Sequence, residues 1–337
     1  MTPRTLRRLT VFTVIWTLVL IMLGAYVRLE DAGLGCPDWP GCYGRLTAPT
    51  HDHEVAHAEL HYGGEVDPAK GWKEMIHRYV AGGLGLILLW QAWALWRSRR
   101  ETGVPAALVI APLAVVLFQA LLGMWTVTLK LMPVVVTAHL LGGMTMLALV
   151  TAQAARARPG RLVLPAGLRR FAWFALAVVV LQIALGGWVS TNYAALACDG
   201  FPACRGGYQL PDDWAVGFHP LRELGLTTTG GPLDIDHLAA IHWIHRLWAL
   251  AVTVAVALLG VLLLRRGLRA GGWLLAALVL QLGLGIANVL MHLPLALAVA
   301  HNGGAALLLA LLTILVARSS SEELSHAQNA YRYAPAR

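Results

Sequence analysis

The chain has 337 residues, of which 58% are hydrophobic and 13% are charged, and its mean hydropathy is +0.63. Soluble globular domains carry about 25% charged residues, so this composition excludes an ordinary soluble protein and predicts an integral membrane protein. The net charge of +8 comes from basic residues that are dispersed along the chain, which argues against the clustered basic surface of a nucleic-acid-binding protein.

Eight apolar runs follow one another along the chain, and each is close to the roughly 20 residues that a helix needs to cross a bilayer. They cover residues 9–27, 79–96, 105–127, 134–154, 171–189, 238–264, 272–290 and 295–316. We therefore predict an all-α integral membrane protein with eight transmembrane helices.

The basic residues predict the orientation of these helices. Most of the 26 Lys and Arg residues lie in short segments on the side of the N-terminus, which the positive-inside rule assigns to the inside. They are Arg4, Arg7, Arg8, Arg97, Arg99, Arg100, Arg156, Arg158, Arg161, Arg169, Arg170, Arg265, Arg266, Arg269, Arg318, Arg332 and Arg337. We expect both termini inside and the long connections 28–73 and 190–237 outside. The segment before the first run is too short for a mitochondrial transit peptide, which favours the plasma membrane of a prokaryote.

All four cysteines lie in the two long outer connections. Cys36 and Cys42 bracket the sequence PDWPG, and Cys198 and Cys204 bracket DGFPA. An even count, an equal spacing and an outward-facing compartment predict two local disulfides, Cys36–Cys42 and Cys198–Cys204. A redox-active dithiol is the alternative reading of either pair.

The spacing of the cysteines reveals an internal repeat. Pairs that lie 162 residues apart are Cys36 and Cys198, Cys42 and Cys204, Gln119 and Gln281, Gly123 and Gly285, and His139 and His301. His77 and His245 lie 168 residues apart, because the second outer connection carries six extra residues. We predict two four-helix halves, 1–158 and 159–337. Since four is an even number, both halves enter the membrane in the same orientation, as a tandem parallel repeat.

Polar residues lie at the start of the second predicted helix. Glu74 and His77 are three residues apart and would share one face of a helix, and the matching stretch of the second half has His242 and His245. Polar groups in a membrane helix are costly and therefore suggest a functional site.

Four histidines in two matched pairs predict two cofactor sites. His77 and His139 would lie at one level, roughly 8–9 Å below the outer helix ends, and His245 and His301 at a similar level. Two imidazoles at one depth suit bis-histidine ligation of a heme inside a bundle, although hydrogen-bonded packing histidines are the alternative. Glycines that would let a flat macrocycle or a backbone come close follow His139 and His301, namely Gly142, Gly143, Gly303 and Gly304.

Other polar residues near these helices admit two readings each. Arg78 and Arg246 either contact heme propionates or extend to the membrane surface. Glu74 either takes part in chemistry or only favours the helix dipole. The string HDHEVAHAELH at 51–61 either binds a metal through histidines spaced by four or forms an exposed amphipathic helix, and we expect the helix.

Together, these residues resemble the heme A synthase family over nearly the whole chain. The resemblance rests on GAYVRLEDAGLGCPDWPGCYG at 24–44, on the E-x-x-H-R pattern at 74–78, and on the histidines at 139, 245 and 301. It implies an oxidoreductase that converts a ring methyl of heme O to a formyl group, giving heme A. Two successive hydroxylations would produce a gem-diol that loses water.

The resemblance also implies roles for the two halves. His245 and His301 would hold a permanent heme b, whereas His77 and His139 would bind the substrate heme O. Cys36 and Cys42 would form a pair near the active site. The implied partners are an unidentified electron donor, heme O synthase, and cytochrome oxidase in its assembly.

Glu74 is the candidate catalytic residue, because a carboxyl group beside the heme edge could exchange protons during hydroxylation and diol dehydration. The second half has His242 in its place, which fits a loss of chemistry there, although His242 could also compete for the iron. Two other functions remain open. One is a diheme electron-transfer protein of the quinol-linked cytochrome b type, and the other is a heme transporter or chaperone. A carboxylate in one half only favours the enzyme, since an electron carrier has no use for it.

Overall fold

The computed structural model describes residues 2–158 and 160–321, and helices dominate these residues. The helices are α1 Pro3–Leu29, α2 Asp52–Tyr62, α3 Pro68–Thr102, α4 Ala106–Thr128, α5 Pro133–Arg156, α6 Ala166–Thr191, α7 Ile235–Arg265, α8 Ala270–Leu290 and α9 Leu295–Arg318. Two short strands, β1 Leu162–Leu164 and β2 Ser319–Ser321, and two 3₁₀ turns, Ala194–Leu196 and Trp214–Phe218, complete the described elements. All helices except α2 are long and apolar enough to cross a membrane, which confirms the all-α prediction with eight spans. The tail residues Arg332 and Arg337 lie outside the described residues.

Helix α3 begins well before the apolar run that predicts it. The side chain of Asp67 accepts hydrogen bonds from the backbone N–H groups of Ala69 at 2.9 Å and Lys70 at 3.1 Å. Pro68 occupies the first turn, where a missing N–H costs nothing. Capping, which hydropathy does not report, therefore sets the start of this helix. The helix expected at 51–61 is also present, as α2.

The long helices form two sets of four with the same neighbours. In the first set α1 and α4 each pack against both α3 and α5, and in the second set α6 and α8 each pack against both α7 and α9. The sets meet where α5 packs against α9, α1 against α9, and α5 against α6. The division into halves 1–158 and 159–337 stays a prediction, because it rests on the sequence repeat and helix contacts do not define a boundary residue.

Contacts between the two sets tie the molecule together at both ends. At the end with the disulfides, Arg28 donates to the hydroxyl of Tyr193 at 2.5 Å and to the carbonyl of Ser190 at 3.0 Å. The Tyr193 hydroxyl donates in turn to Asp31 at 2.7 Å. At the other end β1 pairs in parallel with β2. Both disulfide loops therefore lie on the same side of the bundle.

The first set of helices contains a chain of buried polar side chains. Thr13 donates to Gln91, Gln91 donates to Gln153 at 2.5 Å, and Gln153 donates to the backbone carbonyl of Leu108 at 2.7 Å. Pro112 stands four residues after Leu108 inside α4 and has no N–H, so it leaves that carbonyl without its helical donor. Gln153 supplies the missing hydrogen bond from the neighbouring helix.

We expect Gln153→Leu to lower the free energy of unfolding by about 1–3 kcal/mol, because it leaves the Leu108 carbonyl and the Gln91 amide buried without partners. In a Pro112→Ala background the loss should be smaller, since residue 112 then has an N–H for Leu108. Denaturant titrations of the four proteins in detergent micelles measure both losses. Equal losses in the two backgrounds would show that Gln153 does not compensate for Pro112.

Candidate functional site

Both predicted disulfides are present and lie against the start of a long helix. The Cα atoms of Cys36 and Cys42 are 4.7 Å apart, and those of Cys198 and Cys204 are 4.6 Å apart. Cys36 and Cys42 are fully buried. Gly71 in the first part of α3 makes room for the chain that follows this loop, because an added methyl group there would lie 3.1 Å from Cβ of Ala48.

Glu74 and Arg78 hold the first disulfide loop on α3. They are four residues apart on the helix and therefore lie on one face. One oxygen of Glu74 accepts from the backbone N–H of Cys36 at 2.9 Å, and the other forms an ion pair with Arg78. Glu74 is only 5% exposed, so this carboxyl group is buried with both oxygens occupied.

Arg78 completes the attachment through the carbonyls of the loop. Its Nη1 donates to Asp38 at 3.0 Å, to Pro40 at 3.2 Å, and to Gly41. Both terminal nitrogens of Arg78 therefore have protein partners. Fastening the loop is a role that the two sequence-based readings of Arg78 do not include.

The second disulfide loop is held in a similar way, with one difference. Arg246 donates through Nη1 to the carbonyls of Gly200 at 2.7 Å and Ala203 at 3.2 Å. Its Nε donates to Nε2 of His242 at 3.2 Å. An arginine–histidine pair thus replaces the arginine–carboxylate pair of the first loop, and Nε2 of His242 is committed to Arg246.

A buried arginine anchors the rest of the second connection. Arg222 is 3% exposed and donates to the side chain of Asn192 and to the carbonyl of Gly217 at 3.1 Å. Burial lowers the pKa of this guanidinium group. These bonds fix the longer connection against the C-terminal end of α6.

Each predicted ligand histidine has a glycine of a neighbouring helix against its ring. An added methyl group would lie 3.0 Å from Cε1 of His77 at Gly24, 3.5 Å from Cε1 of His139 at Gly123, 3.0 Å from Cε1 of His245 at Gly186, and 3.0 Å from Cε1 of His301 at Gly285. A larger residue would therefore press on the rings of His77, His245 and His301, whereas at Gly123 a methyl group would make an ordinary contact with His139.

The structure brings the histidines together in the two predicted pairs. The imidazoles of His77 and His139 lie close enough to interact electrostatically, and so do those of His245 and His301. All four side chains are half-buried. Nδ1 of His77 and Nδ1 of His139 are buried without a hydrogen-bond partner among the described residues. Paired imidazoles with uncommitted nitrogens fit the axial ligation of a heme.

Two of the four glycines after His139 and His301 make room for side chains. An added methyl group at Gly142 would collide with the side chain of Gln119, and one at Gly304 with the side chain of Gln281. These two glycines therefore admit glutamine side chains from the adjacent helix, and the approach of a flat macrocycle to Gly143 and Gly303 stays a prediction.

Gln182 on α6 is absent from the sequence-based predictions, yet it lies against His245. Its Nε2 is 3.2 Å from Nδ1 of that ring. A comparison of repeats cannot reveal it, because Leu20 stands at the matching position 162 residues earlier. The available signal is a lone polar residue within the apolar run VVVLQIALGG.

The histidines of α2 lie apart from these pairs. The rings of His57 and His61 stack with centroids 4.0 Å apart. In the part of the chain that the structure describes, no group of three or more His, Cys, Asp or Glu residues is arranged to hold a metal ion.

Hydrogen bonds from the N–H groups of Thr50 and His51 lower the pKa of Glu54 at the start of α2.

Comparison with known proteins shows similarity over nearly the whole chain. The model of the COX15-CtaA family, described as cytochrome oxidase assembly protein, matches residues 7–313. A heme A synthase of Shewanella oneidensis is 46% identical over 305 residues, which cover 88% of this chain and 91% of the relative. Heme A synthases of Granulibacter bethesdensis and Mesorhizobium japonicum are each 28% identical, over 339 and 317 residues, covering 91% and 86% of this chain and 87% and 84% of the relatives.

Proposed function

The chain belongs to the COX15-CtaA family of cytochrome oxidase assembly proteins, and on this premise we propose how its two histidine pairs divide the work. Its activity is that of a heme A synthase, a membrane-bound oxidoreductase that converts heme O to heme A. The finer assignment concerns which residues bind the substrate, which hold a cofactor and which exchange protons.

His77 and His139 bind the substrate heme O, and His245 and His301 hold a heme b. The carrying observation is the contrast between the two similar sites. A buried carboxylate, Glu74, is fastened beside the first pair, whereas His242 occupies the equivalent place beside the second. Hydroxylation needs proton transfer, so the half with the carboxyl group is the half that acts on its heme. When bound, a heme b supplies one-electron redox chemistry.

In the first half, the protein's own residues position the substrate and exchange protons. Glu74 is the proton donor and acceptor for two successive hydroxylations of the methyl group and for loss of water from the gem-diol. Cys36 and Arg78 fix the carboxyl group through hydrogen bonds to both of its oxygens. The disulfide loop covers this end of the site and limits the access of water.

The arginines differ in their capacity to bind a propionate. Nη2 of Arg246 is buried without a partner among the described residues, so it can donate to a propionate of the heme in the second half. A propionate contact of Arg78 stays a prediction, because its terminal nitrogens already bind the loop and Glu74.

The proposed setting is the plasma membrane of a prokaryote, with both termini inside and the disulfide loops outside. The basic residues of the short inner connections support this orientation. Partners on this proposal are heme O synthase as the source of substrate, an electron donor, and cytochrome oxidase as the enzyme that receives heme A.

The function is tested by expressing the chain in a host that lacks heme A, with and without a heme O synthase. Chromatography of extracted hemes should show heme A only when both proteins are present. Heme O without heme A in that strain, with the chain folded in the membrane, would contradict the proposal.

The two disulfides should differ in their effect on turnover. Cys36→Ser should reduce heme A formation strongly, because loss of the disulfide frees the loop whose residue-36 N–H holds Glu74 in place. Cys198→Ser is the matched control, since its loop is fastened to Arg246 and no catalytic carboxyl group depends on it. Heme A is measured by chromatography, and thermal unfolding of both variants separates lost stability from lost chemistry. Equal loss of turnover would assign both bonds a purely stabilising role.

A further inference from the structure

The corner between α1 and α3, at the end of the bundle that carries the disulfides, holds a lysine one turn from His77. Lys73 lies four residues before His77 and therefore on the same face of α3, about 6 Å nearer the start of that helix. Its ammonium group forms an ion pair with Glu30 and lies 5.6 Å from the ring centroid of Tyr26. The side chains of Lys73 and Glu30 are 27% and 29% exposed. A partly exposed cation thus lies at this first corner.

The equivalent corner of the second half, between α6 and α7, is buried. The residues that match Tyr26, Glu30 and Lys73 in the repeat are, in that order, Trp188, Asn192 and Ile241. They are only 8%, 4% and 1% exposed. The second corner therefore has neither the cation nor the accessibility of the first.

The segment 214–222 of the second connection covers the second corner. The carbonyl of Gly217 accepts hydrogen bonds from the indole N–H of Trp188 on α6 at 2.9 Å and from Arg222 at 3.1 Å. An added methyl group at Gly217 would lie 3.1 Å from the side chain of Ile241 on α7. The segment therefore contacts both helices and closes the gap between their ends.

Helix α2 occupies the matching part of the first connection, but it packs beside the first disulfide loop. The rings of Tyr62 and Tyr43 have centroids 5.3 Å apart, and Glu54 forms an ion pair with Arg45 at 2.6 Å. The contact that spans the first corner is instead the ion pair between α1 and α3. A pair this exposed contributes little to stability, so the first corner opens more easily than the second.

We propose that the first corner is the passage by which the substrate heme enters and leaves, and that Lys73 exchanges the carboxylate of Glu30 for a propionate of that heme. An ammonium group forms a charge-assisted hydrogen bond with either carboxylate. Arg78 has both terminal nitrogens bound already, so Lys73 supplies the cation that the first half otherwise lacks. The segment 214–222 blocks the corresponding passage, and the second half keeps its heme b. This inference rests on the proposed division of the two histidine pairs.

The role of Lys73 is tested by titrating ferric heme O into the full-length protein, purified with its heme b from a strain without heme O synthase. The unmodified chain should bind one further heme, and His77→Ala should bind none. Glu30→Gln should raise the affinity for this heme, because it removes the competing carboxylate, and Lys73→Gln should lower it, each by up to about fivefold. The dimethyl ester of heme O, whose propionates carry no charge, should bind equally to all three proteins that retain His77.

The outcomes separate this inference from the proposed function. An unmodified chain that binds no further heme refutes the division of the pairs, and the inference with it. A further heme whose affinity is unaffected by both substitutions refutes the role of Lys73 alone. Equal weakening by Lys73→Gln and Glu30→Gln would show that their ion pair only supports the fold. Changes of the same size with the ester would show that the corner does not recognise charge, which also overturns the proposal.

The cover of the second corner is tested by the transfer of heme b from the protein to added apomyoglobin. Arg222→Gln and the milder Phe218→Ala, which trims packing on the cluster containing Ile241, should both speed this transfer several-fold. Arg205→Gln is the matched control, because it breaks an exposed ion pair in the same connection, and its transfer rate should not change. Circular dichroism shows whether the helices are intact. Transfer from an intact Phe218→Ala protein that is no faster than from the unmodified chain would refute the closing role of the segment.

Discussion

His245→Ala or His301→Ala should remove the retained heme from the protein, whereas His77→Ala or His139→Ala should leave that heme in place and abolish heme A formation. The physical reason is that each pair binds a different molecule. Loss of one axial ligand of a permanent cofactor empties a slot between helices and removes the stabilisation that the bound heme supplies. Loss of a ligand to the substrate removes only turnover.

Heme content of the purified variants measures the first effect, and chromatography of hemes from the membranes measures the second. His242→Ala is the matched variant on α7, because Nε2 of His242 is bound to Arg246 and only its Nδ1 is without a partner among the described residues. This variant should keep its heme. Loss of heme from His242→Ala would instead support its competition for the iron. Equal heme loss from all four ligand variants would favour a diheme electron carrier.

Glu74→Gln should keep heme content and spectrum nearly normal but lose most heme A formation. A positioned proton donor or acceptor contributes about 10²–10⁴-fold to a rate, and the amide cannot replace it. The hydroxylated intermediate should accumulate, because diol formation and dehydration both require proton exchange. Glu74→Asp should recover part of the activity only if the shorter side chain still reaches the substrate. Chromatography of extracted hemes measures heme O, the hydroxylated intermediate and heme A.

Two competing roles for Glu74 predict other results. A helix-dipole role predicts a stability cost of at most about 1 kcal/mol and normal chemistry. A purely structural role in fastening the disulfide loop predicts that Arg78→Gln, which breaks the same ion pair, reduces turnover as much as Glu74→Gln. On the catalytic reading, Arg78→Gln retains more activity because the carboxyl group is still present. Normal heme A output from Glu74→Gln would refute the catalytic role.

The sequence predicts the spans and both disulfides because these depend on local patterns. Apolar runs set the helices that cross a membrane, and the equal spacing of Cys36–Cys42 and Cys198–Cys204 sets the two loops. Hydropathy does not predict the start of α3 at Pro68, because the carboxylate of Asp67 caps the helix there.

Contacts between helices are harder to predict than the helices themselves. The repeat identifies the four histidines, because matched positions carry the same residue. It hides Gln182, because Leu20 stands at the matching position. The repeat also does not reveal the partner of Gln153. Only helix packing places this amide beside the Leu108 carbonyl, which lacks a helical donor because of Pro112.

The division of labour between the two pairs is tested most directly by the hemes that copurify with the unmodified chain. The protein is purified from two strains, one with a heme O synthase and one without it, and its hemes are separated by chromatography. The predicted result is heme B at the same ratio to protein in both preparations, with heme O and heme A only in the first. A heme B content that falls when heme O is supplied, as the substrate displaces it from the second pair, would contradict this account.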